Sequence, residues 1–157
     1  MNPASSGLAA RFLARQDAAI LGILGSGWQA RAHAKAMCSV RTIKKIMVHS
    51  PTKANRENFA GEVERELGIP VDAAATGESV ADCADILVAA TNSVSRVVPS
   101  EWLKPGVHVT CVKITELGDE TLGKADRLVI HTRKWAPENY ITGFNDEKVE
   151  AHDPIDL

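Results

Sequence analysis

Apolar positions along the chain fall into short blocks whose period switches back and forth. Ala18-Ala19-Ile20-Leu21-Gly22-Ile23-Leu24 is apolar throughout, without alternation, and stops at glycine. A run of that kind suits a strand buried on both faces of a parallel sheet. From Trp28 the period changes: Ala30, Ala34, Met37 and Cys38 fall at i, i+4, i+7 and i+8, which predicts a helix. Residues 43–48 form the second predicted strand. Ser50-Pro51 has the form of an N-cap followed by proline, and Phe59, Val63 and Leu67 fall four apart on the helix it would open. Gly68 stands where a C-terminal cap belongs. Strands three to five are predicted over 71–74, over 86–90, and at the alternating Val107, Val109 and Cys111 that follow the Pro105-Gly106 turn. Short helices are predicted over 78–83 and 117–124, and a sixth strand over 127–130. An opening helix over 8–15 lines Leu8, Phe12 and Arg15 along one side.

Strand–helix alternation of this kind predicts an α/β fold: a Rossmann-type, doubly wound parallel sheet of about six strands with helices on both faces, in the order 3-2-1-4-5-6. Residues 1–131 are assigned to that domain. Residues 132–157 carry Pro137, Gly143 and Pro154 with little periodicity and read as a tail.

Composition narrows the function classes. Length (157 residues), 45% apolar and 24% charged residues are those of one soluble globular domain. A net charge of −2, from 18 Lys and Arg against 20 Asp and Glu, gives no support to nucleic-acid binding. No apolar run reaches the roughly 18 residues of a membrane span, and the first residues lack the pattern of a secretory signal. Cys38, Cys83 and Cys111 are an odd set without CxxC spacing, which points to a reducing, cytoplasmic setting and away from disulfides or zinc. His33, His49, His108, His131 and His152 are scattered, with no acidic partner at metal-ligand spacing, so no metal is expected and each reads as a packing or surface residue.

The candidate chemistry lies in the loop after the first strand. Gly25-Ser26-Gly27-Trp28-Gln29-Ala30 fits G-x-G-x-x-G/A between a predicted strand and a predicted helix, the context in which the motif binds a dinucleotide. Gly25 permits the tight turn, Gly27 admits the pyrophosphate, and Ala30 lets helix and strand pack closely. The helix N-terminus offers N–H groups and partial positive charge to phosphates. Trp28 at the helix entry either covers the pyrophosphate or meets another domain. A loop of this kind also serves methyltransferases that bind S-adenosylmethionine. The end of the second strand bears on the choice, because NAD-binding domains place an acid there for the ribose. In Val48-His49-Ser50-Pro51-Thr52-Lys53-Ala54-Asn55-Arg56 there is none before Glu57. Ser50, Thr52, Lys53 and Arg56 offer hydroxyls and cations to an adenosine 2′-phosphate, which favours NADP(H), with NAD(H) as the alternative. Lys53 and Arg56 are otherwise solvated residues of a helix first turn. Ala90, Thr91, Asn92 and Ser93 follow the fourth strand at its C-terminal end, where ligands of open α/β sheets bind. Their polar groups serve either a ligand or the turn itself.

Four segments together resemble one family. They are Ser5-Ser6-Gly7-Leu8-Ala9-Ala10 with Leu13-Ala14-Arg15, then Gly25 through Arg31, then Ala90-Thr91-Asn92-Ser93, and finally Glu101-Trp102-Leu103-Lys104-Pro105-Gly106-Val107-His108-Val109. They look like the ornithine cyclodeaminase/μ-crystallin family, over about residues 5–130. The resemblance implies an NAD(P)-binding Rossmann domain inserted into a second domain that binds substrate and forms a homodimer. It also implies action on a small amino or imino acid: ornithine cyclisation, ketimine reduction or amino-acid dehydrogenation. Three features depart from the family pattern. The Lys and Arg residues that grip substrate lie in segments outside this region, so the chain reads as the nucleotide domain alone and no catalytic residue is assigned. Ser93 stands where cyclising members carry a catalytic Asp. Cys111-Val112-Lys113 replaces a small-residue V-G pair after the fifth strand. The alternative function is a nucleotide-sensing or ligand-binding module without turnover.

Overall fold

A computed structural model describes residues 2–129. The tail over 132–157, with His131 and His152, lies outside the described residues. In chain order the elements are α1 (Pro3–Leu13), β1 (Ile20–Leu24), α2 (Trp28–Val40), β2 (Lys45–His49), α3 (Lys53–Leu67), β3 (Val71–Ala73), α4 (Gly77–Cys83) and β4 (Ile86–Ala89). A 3₁₀ turn (Ser100–Trp102), β5 (His108–Cys111), a second 3₁₀ turn (Ile114–Glu116) and α5 (Asp119–Gly123) follow. The five strands form one sheet in the order β3-β2-β1-β4-β5, with every pairing parallel. The fold is a Rossmann-type α/β sheet with the expected strand order.

The central strands show why their sequences lack alternation. On β1 and β4, successive side chains enter two different cores. Leu21, Ile23, Ile86 and Val88 join Ala30, Ala34, Met37 and Phe59 on one face. Leu24, Leu87 and Ala89 join Val80, Ala81 and Val98 on the other. Both faces are covered, so both must be apolar. Gly68 ends α3 in the left-handed conformation (φ 66°), and its N–H bonds to the Glu64 carbonyl. No described helix is long and apolar enough to cross a membrane.

Several sequence expectations are corrected. Residues 127–129 join no strand, and Ile130 lies outside the described residues, so the sheet has five described strands rather than six. Leu128 and Val129 stay exposed although β5 ends the described sheet, so strand composition alone does not bring them into it. The helix expected over 8–15 runs instead from Pro3 to Leu13, so Arg15 lies beyond it, and it buries Ser6, Gly7 and Ala10 while Phe12 is 68% exposed. Close packing of α1 on α2 selects small residues: a side chain at Gly7 would meet Ala36 at 3.3 Å. Ser50 does not cap α3, whose N-cap is Thr52. The Ser50 hydroxyl is engaged elsewhere, taking a hydrogen bond from Ser26. The helix expected over 117–124 shortens to α5, because residues 114–116 form a 3₁₀ turn first.

At the opposite edge of the strands, Asp85 ties β4 to β1. Its Oδ2 accepts the N–H groups of Ala19 and Ile20, each at 3.0 Å, and its Oδ1 accepts Arg15 Nη2 at 2.6 Å. Burial alone would raise this carboxyl, but those N–H donors, Lys104 and Arg15 outweigh it and hold it below its ordinary value of 3.8. A depressed carboxyl stabilises the fold above its unfolded-state value and loses that contribution as pH falls through the folded one. Asp85→Asn should therefore cost about 2 kcal/mol near neutral pH. The gap between parent and variant should close as pH falls below 3.8, as urea titrations across that range would record.

Candidate functional site

The site lies at the C-terminal ends of β1 and β4, where the strand order reverses. After β1 the chain turns at Gly25 with φ 113°, a conformation few side chains tolerate. A Cβ there would lie 2.2 Å from the Ala90 carbonyl oxygen, so the loops after β1 and β4 touch at this glycine. The Gly25 N–H bonds to the His49 carbonyl at 2.8 Å, which adds the end of β2. Three strand ends thus meet at one residue.

Gly27 is the N-cap of α2 and supplies no side-chain cap, so first-turn N–H groups are left for a ligand. A Cβ on Gly27 would meet nothing within 4 Å. The backbone here faces open space, as a pyrophosphate cradle requires. Gln29 Oε1 is buried without a hydrogen-bond partner among the described residues, a further polar atom in the loop left for a ligand or its hydration. Trp28 stands 73% exposed beside it. These features fit a dinucleotide.

α2 is held to α1 by a residue that periodicity does not mark as special. His33 is fully buried. Its Nδ1 donates to the Gln29 carbonyl at 2.8 Å, and its Nε2 takes the Ser6 hydroxyl at 3.1 Å. Burial lowers its pKa, in keeping with the neutral ring this pairing needs. Arg31 and Lys35 pair with Glu62 and Glu66 of α3 across the helix surface. Exposure keeps these ion pairs weak.

On the β2 side, Ser26 Oγ donates to Ser50 Oγ at 3.0 Å, joining the glycine loop to the turn after β2. Arg56 Nη1 donates to the carbonyls of Ser50 (3.0 Å) and Pro51 (3.3 Å), so its guanidinium folds back over that turn. Lys53 points away, 75% exposed and 3.7 Å from Glu57. Thr52 is exposed. Arg56, a turn further along the helix than Lys53, is the cation brought to the loop.

On the β4 side the expected residues are Ala90, Thr91, Asn92 and Ser93. Thr91 is already committed: its N–H and its hydroxyl both donate to Glu116 Oε1, at 2.6 and 2.7 Å. Glu116 Oε2 accepts the N–H groups of Val112 (3.1 Å) and Lys113 (2.9 Å). The Glu116 carbonyl accepts the N–H groups of Val97 and Val98. One wholly buried acid therefore fastens the chain after β4 to the chain after β5. Lys113 Nζ donates to the Ser93 carbonyl at 2.5 Å and closes the same seam. Ser93 Oγ stays within its own loop, on Ser95, and Asn92 is exposed. Sequence reasoning missed Glu116, since nothing in Ile114-Thr115-Glu116-Leu117 marks its partners. Cys111, at the end of β5, has its thiol pushed up to about 11, first by burial and then by the Glu116 charge.

Comparison with known proteins agrees with this geometry. Delta(1)-pyrroline-2-carboxylate reductase of Bacillus cereus is 34% identical over 140 residues, covering 86% of this chain and 43% of that protein. Ketimine reductase mu-crystallin of Rattus norvegicus is 30% identical over 129 residues, covering 78% and 39%. The structure of Thermococcus litoralis Delta(1)-pyrroline-2-carboxylate reductase in complex with NADH and L-proline superposes with a TM-score of 0.81 at 35% identity, over 84% of this chain and 42% of that one. The chain spans less than half the length of each of these relatives. The sequence model of the ornithine cyclodeaminase/mu-crystallin family matches residues 2–140, and the chain belongs to that family.

Proposed function

We propose that the chain is the NADP(H)-binding part of an enzyme that reduces a small cyclic imino acid or dehydrogenates the corresponding amino acid. The observation that carries this reading is the uncapped N-terminus of α2 behind Gly27, open to a phosphate at the point where the strand order reverses. The relative solved with NADH and L-proline supports the same cofactor class and substrate class. Gly25, Ser26, Gly27, Trp28 and Gln29 would hold the pyrophosphate; Ser50, Thr52, Lys53 and Arg56 would face the adenosine ribose. Ala90, Thr91, Asn92 and Ser93 would border the nicotinamide half, where the bound cofactor supplies the hydride chemistry and the protein supplies position. Titrating the chain with NADPH, NADH and S-adenosylmethionine tests it. Binding of neither nicotinamide cofactor, or a preference for S-adenosylmethionine, refutes it.

The preference for NADP(H) rests on the turn after β2. It carries no carboxylate before Glu57, and Arg56 lies over the Ser50 and Pro51 carbonyls beside two hydroxyls. A charge-assisted hydrogen bond contributes roughly 1.5–3 kcal/mol, less where solvent screens it. NADPH should therefore bind about tenfold more tightly than NADH. Arg56→Ala should erase most of that margin, and the solvent-directed Lys53→Ala should erase less. Calorimetry with both cofactors decides, and equal affinities in the parent would refute the preference.

A second reading, a nucleotide-binding module without turnover, is favoured by Ser93. It cannot act as a carboxylate base, and its hydroxyl is held by Ser95. Under either reading the 157-residue chain alone should bind cofactor yet turn over neither imine nor ornithine.

A further inference from the structure

We infer that Glu116 is the charge by which this domain weighs oxidised against reduced cofactor, with Lys113 opposing it. The inference rests on the cofactor reading above.

Glu116 is fully buried, and the four groups that face its carboxylate are all donors: the Thr91 N–H and hydroxyl, and the N–H groups of Val112 and Lys113. A carboxylate is the form of glutamate that accepts from four donors without strain. Among the described residues no cation lies at ion-pair distance from it, so its charge is spread by neutral dipoles but not cancelled. These donors belong to the chain just beyond the C-terminal ends of β4 and β5. In a doubly wound sheet the dinucleotide crosses the strand ends at the switch point. Ser26, Ser50 and Arg56 mark the adenosine side at β1 and β2, which leaves the β4–β5 side for the nicotinamide. That ring is cationic when oxidised and neutral when reduced. An uncancelled buried charge acts over several ångströms in a medium of low dielectric, so it favours the cationic ring selectively. Lys113 brings an ammonium to the same seam through the Ser93 carbonyl, but it is half-buried and better screened. The carboxylate outweighs it.

The test compares affinities of the 157-residue chain for NADP⁺ and NADPH, by calorimetry, in the parent and two variants. Glu116→Gln should lower the NADP⁺-to-NADPH affinity ratio by about tenfold. Lys113→Met should raise it by about threefold. A role for Glu116 confined to fastening the loops would weaken both forms equally, and an unmoved ratio in a folded Glu116→Gln variant overturns the inference. Should that variant fail to fold, Lys113→Met decides alone: a ratio unchanged or lowered overturns it. Failure of the parent to bind either form would remove the cofactor reading and this inference together. Binding of both with an unmoved ratio removes only this one.

Discussion

Gly27→Val should abolish nucleotide binding and leave the fold close to parental stability. The two halves of this expectation have separate physical causes. Gly27 has ordinary extended backbone angles (φ −88°, ψ −177°), which valine adopts readily. A Cβ there meets no atom within 4 Å, so the branched side chain displaces nothing in the protein. What it fills is the open space in front of the N-terminus of α2. The valine methyls would stand between the first-turn N–H groups and any phosphate approaching them. Cofactor affinity should fall by about a hundredfold or more, some 3 kcal/mol, while the thermal midpoint moves by only a few degrees. Calorimetric titration beside thermal unfolding measures both. If the folded variant binds as tightly as the parent, the loop is only a connector between β1 and α2.

How much of this is legible in the sequence follows from where the information lies. β1 and β4 are readable because both of their faces are buried, so their apolar runs have no competing explanation in a chain of this length. The glycine loop is readable because the motif specifies backbone conformation and space, which are local properties of Gly25 and Gly27. Gly68 ends α3 as expected for the same reason. The failures are tertiary. Leu128 and Val129 have strand composition, yet they stay exposed beside a sheet whose β5 edge is open among the described residues, because pairing is a tertiary event that composition does not describe. Phe12 has the character of a core residue of α1, but the helix meets α2 through Ser6, Gly7 and Ala10, whose small size lets it approach.

The site divides along the same line. By its place in the sequence Arg56 lies a turn further from the end of β2 than Lys53, but a guanidinium reaches further than its Cα position suggests. It folds back onto the Ser50 and Pro51 carbonyls. Lys53, nearer in sequence, is drawn outward beside Glu57. Glu116 is invisible in the sequence because its partners are mainly backbone N–H groups, which every residue but proline carries. The position of Lys113 after β5 gives no sign of its partner. Its effect shows only in three dimensions, where the ammonium lands on the Ser93 carbonyl.

The opposite glycine of the motif should respond in the opposite way: Gly25→Ala should strongly destabilise the domain rather than merely blunt its binding. At φ 113° an L-residue is strained wherever it is placed. Here the added Cβ would also lie 2.2 Å from the Ala90 carbonyl oxygen and 2.8 Å from its carbon. Those are backbone atoms at the end of β4, and the Ala90 N–H is itself bonded to the Leu24 carbonyl of β1. Relief therefore requires the two central strands to part at their C-terminal ends. That would also break the Gly25 N–H bond to His49 and strain the pairing with β2. Strain and displaced core packing together should cost about 4 kcal/mol or more, which places the substitution in the exceptional tail of single-residue effects. Against a total stability of roughly 5–15 kcal/mol, much of the fold's margin would go. Urea or thermal unfolding of the variant measures it. A variant as stable as the parent would mean that the contact between Gly25 and Ala90 is looser than described, and that the crevice is not braced there.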